Sequence, residues 1–137
     1  MSMNSTATIL TAAYRTASQN IDDLFDELYR SGNKFTKEET MWIVRKPDGK
    51  ISWLETGRDG TGGSGFAHIL DHHPVSQFSN FGVRSEAQLS NLLYNTIAYE
   101  NPIQVTASGQ YTYFVKGHYL SVVIGNNGYI VTAHAGQ

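Results

Sequence analysis

The stretch Gln104 to Ala133, QVTASGQYTYFVKGHYLSVVIGNNGYIVTA, decides the fold class. Four runs rich in β-branched and aromatic residues lie in it: Gln104 to Ala107, Tyr111 to Lys116, Tyr119 to Ile124 and Tyr129 to Ala133. Ser108-Gly, Gly117 and Asn126-Asn-Gly separate them, and such short glycine- and asparagine-bearing breaks join antiparallel neighbours. The pattern predicts an antiparallel meander closing the chain. Immediately before it, Ser85 to Tyr99 changes period: Leu89, Leu92, Leu93 and Ile97 form one apolar helical stripe, and Ser85 with Gln88 has capping-box spacing.

Further upstream, Ser64 can open a short helix through Phe66, His68, Ile69 and His72. Pro74 must end it, because proline disfavours the α conformation in the residue before it, and His73 is thereby pushed out of the helix. Gly57 to Gly65 (GRDGTGGSG) has five glycines and no apolar residue, and is expected to be a flexible connector. It contains neither GxGxxG nor a Walker lysine, so it gives no phosphate-loop signal. Met41 to Lys46 and Lys50 to Glu55 flank Pro47-Asp-Gly as a hairpin, with Trp42 expected against Trp53. Thr36 and Glu39 have the spacing for a capped helical turn before it. Asn20 is positioned to cap a helix carrying Ile21, Leu24, Phe25 and Leu28 and stopped by Gly32, and Thr6 to Ser18 has softer helical spacing. The expected class is α+β: N-terminal helices and a small hairpin followed by a helix-flanked antiparallel sheet.

With 137 residues, 40% hydrophobic and 16% charged, the chain fits one domain over 1–137. Residues 1–62 form its helical and hairpin lead-in, and 63–137 hold the candidate catalytic core. No apolar run of about 18 residues is present, so no membrane-spanning helix is expected. The N-terminus shows no basic region, apolar stretch and small-residue cleavage site in succession, so no export signal is expected. Zero cysteines exclude a disulfide framework and a thiolate zinc site. A net charge of −2 argues against non-specific coating of nucleic acid, which depends on many Lys and Arg contacts to phosphate.

The distribution of charge is more telling than its sum. Eight of the ten Lys and Arg residues lie in positions 1 to 60, leaving Arg84 and Lys116, whereas all five histidines (His68, His72, His73, His118, His134) lie beyond. His68 and His72 are four apart, about 40° around an ideal helix, so both rings can share a face that His73 approaches from the helix end. Imidazoles are the usual general acid and base near neutral pH. RNA cleavage by its own 2'-hydroxyl needs such a pair, together with a cation or hydroxyl to stabilise the transition state, for which Lys116 and Thr132 are candidates. The scheme requires no metal and no cofactor. An HExxH zinc site would need Glu at position 69, which is Ile; a mixed site of histidines and Asp71 stays an alternative.

Taken together, Gly65-Phe-Ala-His-Ile-Leu-Asp-His-His, Phe78, Phe81-Gly-Val-Arg-Ser, the long helix, and Gly128-Tyr-Ile-Val-Thr-Ala resemble the RNase toxin domains of the barnase/EndoU/colicin/RelE superfamily. Such domains occur as C-terminal parts of polymorphic and contact-dependent bacterial toxins. The resemblance covers roughly residues 63 to 135. His68 matches the first histidine of the pattern, His72 its basic position, His73 its second histidine and Thr132 its late hydroxyl, while Lys116 is placed by lying in the middle strands. It implies His68, His73, Lys116 and Thr132 as catalytic groups; His72, with Arg84, Tyr113 and His134, is expected to hold substrate. It further implies metal-independent cleavage of RNA, often tRNA, delivery into a target-cell cytoplasm, and a cognate immunity protein. The chain then fits either an excised toxin domain or a small free-standing effector. The alternative is a non-enzymatic α+β interaction module, associated with a phage or a secretion system, whose histidines are structural.

Overall fold

The computed structural model describes residues 20–137, which fall into two units divided between Lys34 and Phe35. In the first, residues 20–30 form helix α1. Asn20 is itself helical rather than the cap, and Gly32 closes the helix at φ 80°, where an L side chain would be strained. The soft helix expected over Thr6 to Ser18 lies outside the described residues.

The second unit, Phe35 to Gln137, is α+β with two antiparallel sheets. It includes the hairpin. Strands β1 (Thr40–Arg45) and β2 (Ile51–Glu55) form the two-stranded sheet. Strands β3 (Gln104–Val105), β4 (Gln110–Val115), β5 (His118–Ile124) and β6 (Ile130–Ala135) form the expected meander in the order β3-β4-β5-β6. Lys116 and Gly117, at φ 52° and 81°, make the two-residue β4–β5 turn, the conformation that matches the twist of paired strands. Between the sheets come α2 (Phe66–His72), a 3-10 helix (Val75–Phe81) that the sequence did not signal, and α3 (Glu86–Tyr99).

The stripe on α3 is realised: Leu89, Leu92, Leu93 and Ile97 are all buried, in one cluster with Phe78, Phe81, Tyr113, Leu120, Val122, Ile130 and Ala133. Its cap is half the expected box. Gln88 N–H donates to Ser85 Oγ at 3.2 Å, but Gln88 Oε1 accepts from Arg84 N–H at 2.6 Å. The turn before the hairpin forms as a 3-10 turn, Lys37–Glu39, without the capping box: Glu39 N–H donates to Thr36 O at 3.1 Å, and Thr36 N–H donates to the Glu55 carboxylate at 2.9 Å.

Two expectations fail for identifiable reasons. The register pairs Trp42 with Leu54 and Trp53 with Ile43, so the two indoles point to opposite faces of the hairpin. Trp42 packs edge-on to Tyr94 at 5.4 Å and donates its N–H to Ser90 Oγ, while Trp53 packs on Tyr129 and Phe35 and donates to Glu55 Oε2. The glycine-rich connector is pinned rather than loose: Arg58 and Ser64 exchange both backbone hydrogen bonds at 3.0 Å.

The two sheets meet at one seam. Gly128 O accepts from Trp53 N–H at 3.2 Å and from Ser52 Oγ at 2.7 Å, so β2 is stitched to the start of β6. At Gly128, φ is 99° and an added Cβ would lie 2.0 Å from Ile51 O, so only glycine fits. No helix among the described residues is long and apolar enough to cross a membrane.

Candidate functional site

Helix α2 is held by its surroundings at both ends. Gly65 N–H donates to Val131 O of β6 at 2.9 Å, and Ala67 N–H to Thr56 O just beyond β2 at 2.8 Å. The helix therefore starts in the seam and packs along β6. Ser64, expected to start it, instead places its Oγ 2.8 Å from the Tyr129 hydroxyl, and Gly65 takes the cap position. At the other end His73 leaves the helix at φ −137°, as Pro74 requires, while its N–H still donates to Ile69 O at 2.7 Å.

This docking brings four imidazoles together as a chain of neighbours. Ring centroids are 4.3 Å apart for His68 and His72, 6.5 Å for His72 and His73, and 5.7 Å for His73 and His134. The last contact joins α2 to β6 and could not be read from helical spacing. On β6, Thr132 pairs with Val123 and His134 with Ser121, so both side chains lie on the face opposite the core residues Leu120, Val122 and Ala133.

Two polar atoms here are buried without a hydrogen-bond partner among the described residues: His68 Nδ1 and Thr132 Oγ1. Buried polar groups are normally paired, so each of these orphans, one on α2 and one on β6, marks a position where a further donor or acceptor is accommodated. His73 Nδ1 lies 3.0 Å from Gln77 Oε1. With that oxygen accepting, Nδ1 carries the proton and Nε2 is the basic nitrogen of the neutral ring. Sequence reasoning missed this contact of Gln77 with the ring, whose signal is that it lies four residues after His73.

The other candidates lie elsewhere. Lys116 Nζ donates to Phe81 O at 3.1 Å, and Phe81 ends the 3-10 helix whose first turn follows His73. Seven residues of 3-10 helix extend about 12 Å. Lys116 is thus bonded at the far end of that helix, and no hydrogen bond joins it to a histidine among the described residues. His118 packs edge-on to Phe81 at 5.9 Å, at that same far end. Arg84 is exposed, with Nη1 donating to Val83 O at 3.2 Å. Tyr113 is 1% exposed within the core. Burial first, then Tyr111 and Asp48 nearby, push its phenol far above the usual tyrosine range, so it stays a neutral core side chain. Asp71 Oδ2 lies 3.7 Å from His72 Nε2, and no group of three His, Asp or Glu arranged to hold a metal is found among the described residues.

No protein-family model matches the chain, and no curated protein is significantly similar to it.

Proposed function

We propose that the chain is a metal-independent endoribonuclease of the toxin type, cleaving RNA, with tRNA as the favoured substrate, through its clustered histidines. The observation that carries the reading is the convergence of His68, His72, His73 and His134 beside the orphaned Nδ1 of His68 and Oγ1 of Thr132. His73 Nε2, oriented by Gln77, takes the proton of a 2'-hydroxyl. The 2'-oxygen attacks the adjacent phosphorus and the bond to the 5'-oxygen breaks, leaving a 2',3'-cyclic phosphate. His68 or His134 returns a proton to the departing 5'-oxygen. The Thr132 hydroxyl is the donor available to the developing charge, and Lys116 has no part in this version. Delivery into a target cell and neutralisation by a cognate immunity protein belong to the same proposal.

The test is incubation of the purified chain with total tRNA in EDTA. Chelator-resistant cleavage leaving cyclic phosphate ends is the expected result. Cleavage abolished by EDTA would overturn the metal-independent scheme in favour of a site including Asp71. No turnover, with the parent sequence verified, would favour a non-enzymatic interaction module.

A further inference from the structure

A second feature lies apart from the histidines, between α3 and the outer edge of β4. It is a groove of about 510 Å³, walled on one side by Gln88, Asn91, Leu92, Asn95 and Thr96. Their spacing of i, i+3, i+4, i+7 and i+8 is one face of the helix. The opposite wall is Phe114, Val115 and Lys116. Phe114 and Val115 end β4 and Lys116 begins the β4–β5 turn, so this wall is formed where the end of the strand runs into its turn.

That edge is open. β3 pairs with β4 only at Gln104↔Thr112 and Val105↔Tyr111. Ile103 N–H donates to Thr112 O, so Thr112 presents its carbonyl on this side. Two residues on, Phe114 presents its N–H and C=O the same way, and neither has a partner among the described residues. Across the groove the side-chain amides of Asn91 and Asn95 likewise have no hydrogen-bond partner among the described residues. An unprotected strand edge is a template for another strand, and proteins ordinarily cover or blunt it. Here it faces a row of unpaired amides, which donate to and accept from a peptide backbone with equal facility.

The geometry points to an extended peptide as the occupant, added as a strand to β4 at Phe114 and held from behind by Asn91 and Asn95. The helix face from Gln88 to Thr96 is about 12 Å long, the span of about four extended residues. The charges set the composition of that peptide. Lys116 stands at the end where Phe81, Gly82 and Val83 close the groove, and Glu100 follows the other end of α3. The favoured segment carries a carboxylate at the Lys116 end and a cationic group at the Glu100 end. This site is independent of the ribonuclease reading, and neither depends on the other.

The experiment is selection of a random octapeptide display library on the full-length protein. Selected peptides are then titrated by fluorescence anisotropy and followed by amide hydrogen exchange. The expected result is enriched peptides that protect the Phe114 amide and bind about tenfold or more weakly to Asn91→Ala/Asn95→Ala. Phe114→Pro removes the edge N–H at a position where an edge strand accepts proline, and should weaken binding similarly. The exposed double asparagine variant keeps the test valid if the proline variant misfolds. Failure to enrich any peptide, or equal binding by the double variant, overturns the proposal. So does protection of Phe114 by self-association at high protein concentration, which would make a second copy the occupant. Perturbation of Asn91 and Asn95 by a short oligoribonucleotide but by no peptide would overturn it in favour of RNA.

Discussion

Replacing Thr132 by valine separates the functional from the structural reading of the histidine cluster. Thr132 lies in β6, and its Oγ1 is buried without a partner. An unsatisfied buried hydroxyl costs roughly 1–3 kcal/mol. Valine keeps the branched shape, puts a methyl where the hydroxyl was, and is a strong strand former. Thr132→Val should therefore stabilise the fold by about 1–2 kcal/mol, which raises the Tm of a unit this size by roughly 4–8 °C per kcal/mol. If the hydroxyl is kept for transition-state charge, tRNA cleavage should fall by about 10²-fold in the same variant. Thermal melts by circular dichroism and single-turnover cleavage assays measure the two quantities on one preparation. A variant that melts lower than the parent while cleaving at the parent rate would refute the reasoning, because the hydroxyl would then be satisfied and structural.

His73→Ala should lower cleavage by about 10²- to 10⁴-fold while moving stability by only ~0.5 kcal/mol, since its side chain bonds only the exposed Gln77; His68→Ala should lose as much rate, and His118→Ala, at the far end by Phe81, far less. Gly128→Ala should destabilise by about 3–5 kcal/mol, because its Cβ would meet Ile51 O at 2.0 Å, whereas Gly49→Ala, with open space around it, should cost only the ~1–2 kcal/mol of its left-handed backbone; urea midpoints compare them. Burial pushes the Asp48 carboxyl up, but the Lys50 N–H and the Lys46 ammonium outweigh it and hold the carboxyl below its ordinary 3.8. Its contribution is thus present above that value and lost as pH falls through the lower folded pKa, so Asp48→Asn should be less stable than the parent at pH 6, by at most ~0.5 kcal/mol for so exposed a carboxylate, and indistinguishable at pH 2.

The elements legible in the sequence were those specified locally. The meander was marked by its turn residues, α3 by its stripe and serine cap, and the exit of His73 from α2 by Pro74. What was hidden depended on partners distant in sequence. Pairing Trp42 with Trp53 assumed a face that only the register decides. The glycine-rich segment looked loose because the bonds tying Arg58 to Ser64 leave no compositional trace. At the site, three histidines were visible as a local cluster, but the approach of His134 required α2 to dock on β6. Lys116 gained weight as the sole lysine of its half, and the β4–β5 turn then aimed it at Phe81 instead.

The seam at Gly128 bears on the order in which the molecule assembles. The β1–β2 hairpin and the β4–β5–β6 meander each close through short turns, contacts of the kind that isolated hairpins make on the microsecond scale. The bonds from Ser52 and Trp53 to Gly128 close a loop of more than seventy residues, a slow step dominated by chain entropy. Helix α2 takes its place only between β2 and β6, so His68 and His73 reach His134 after both sheets have joined. A chain with every strand paired but the seam still open would carry nearly all its secondary structure, yet its three α2 histidines would lack His134. Chemistry that needs both His73 and His134 therefore depends on a contact made between distant parts of the second unit.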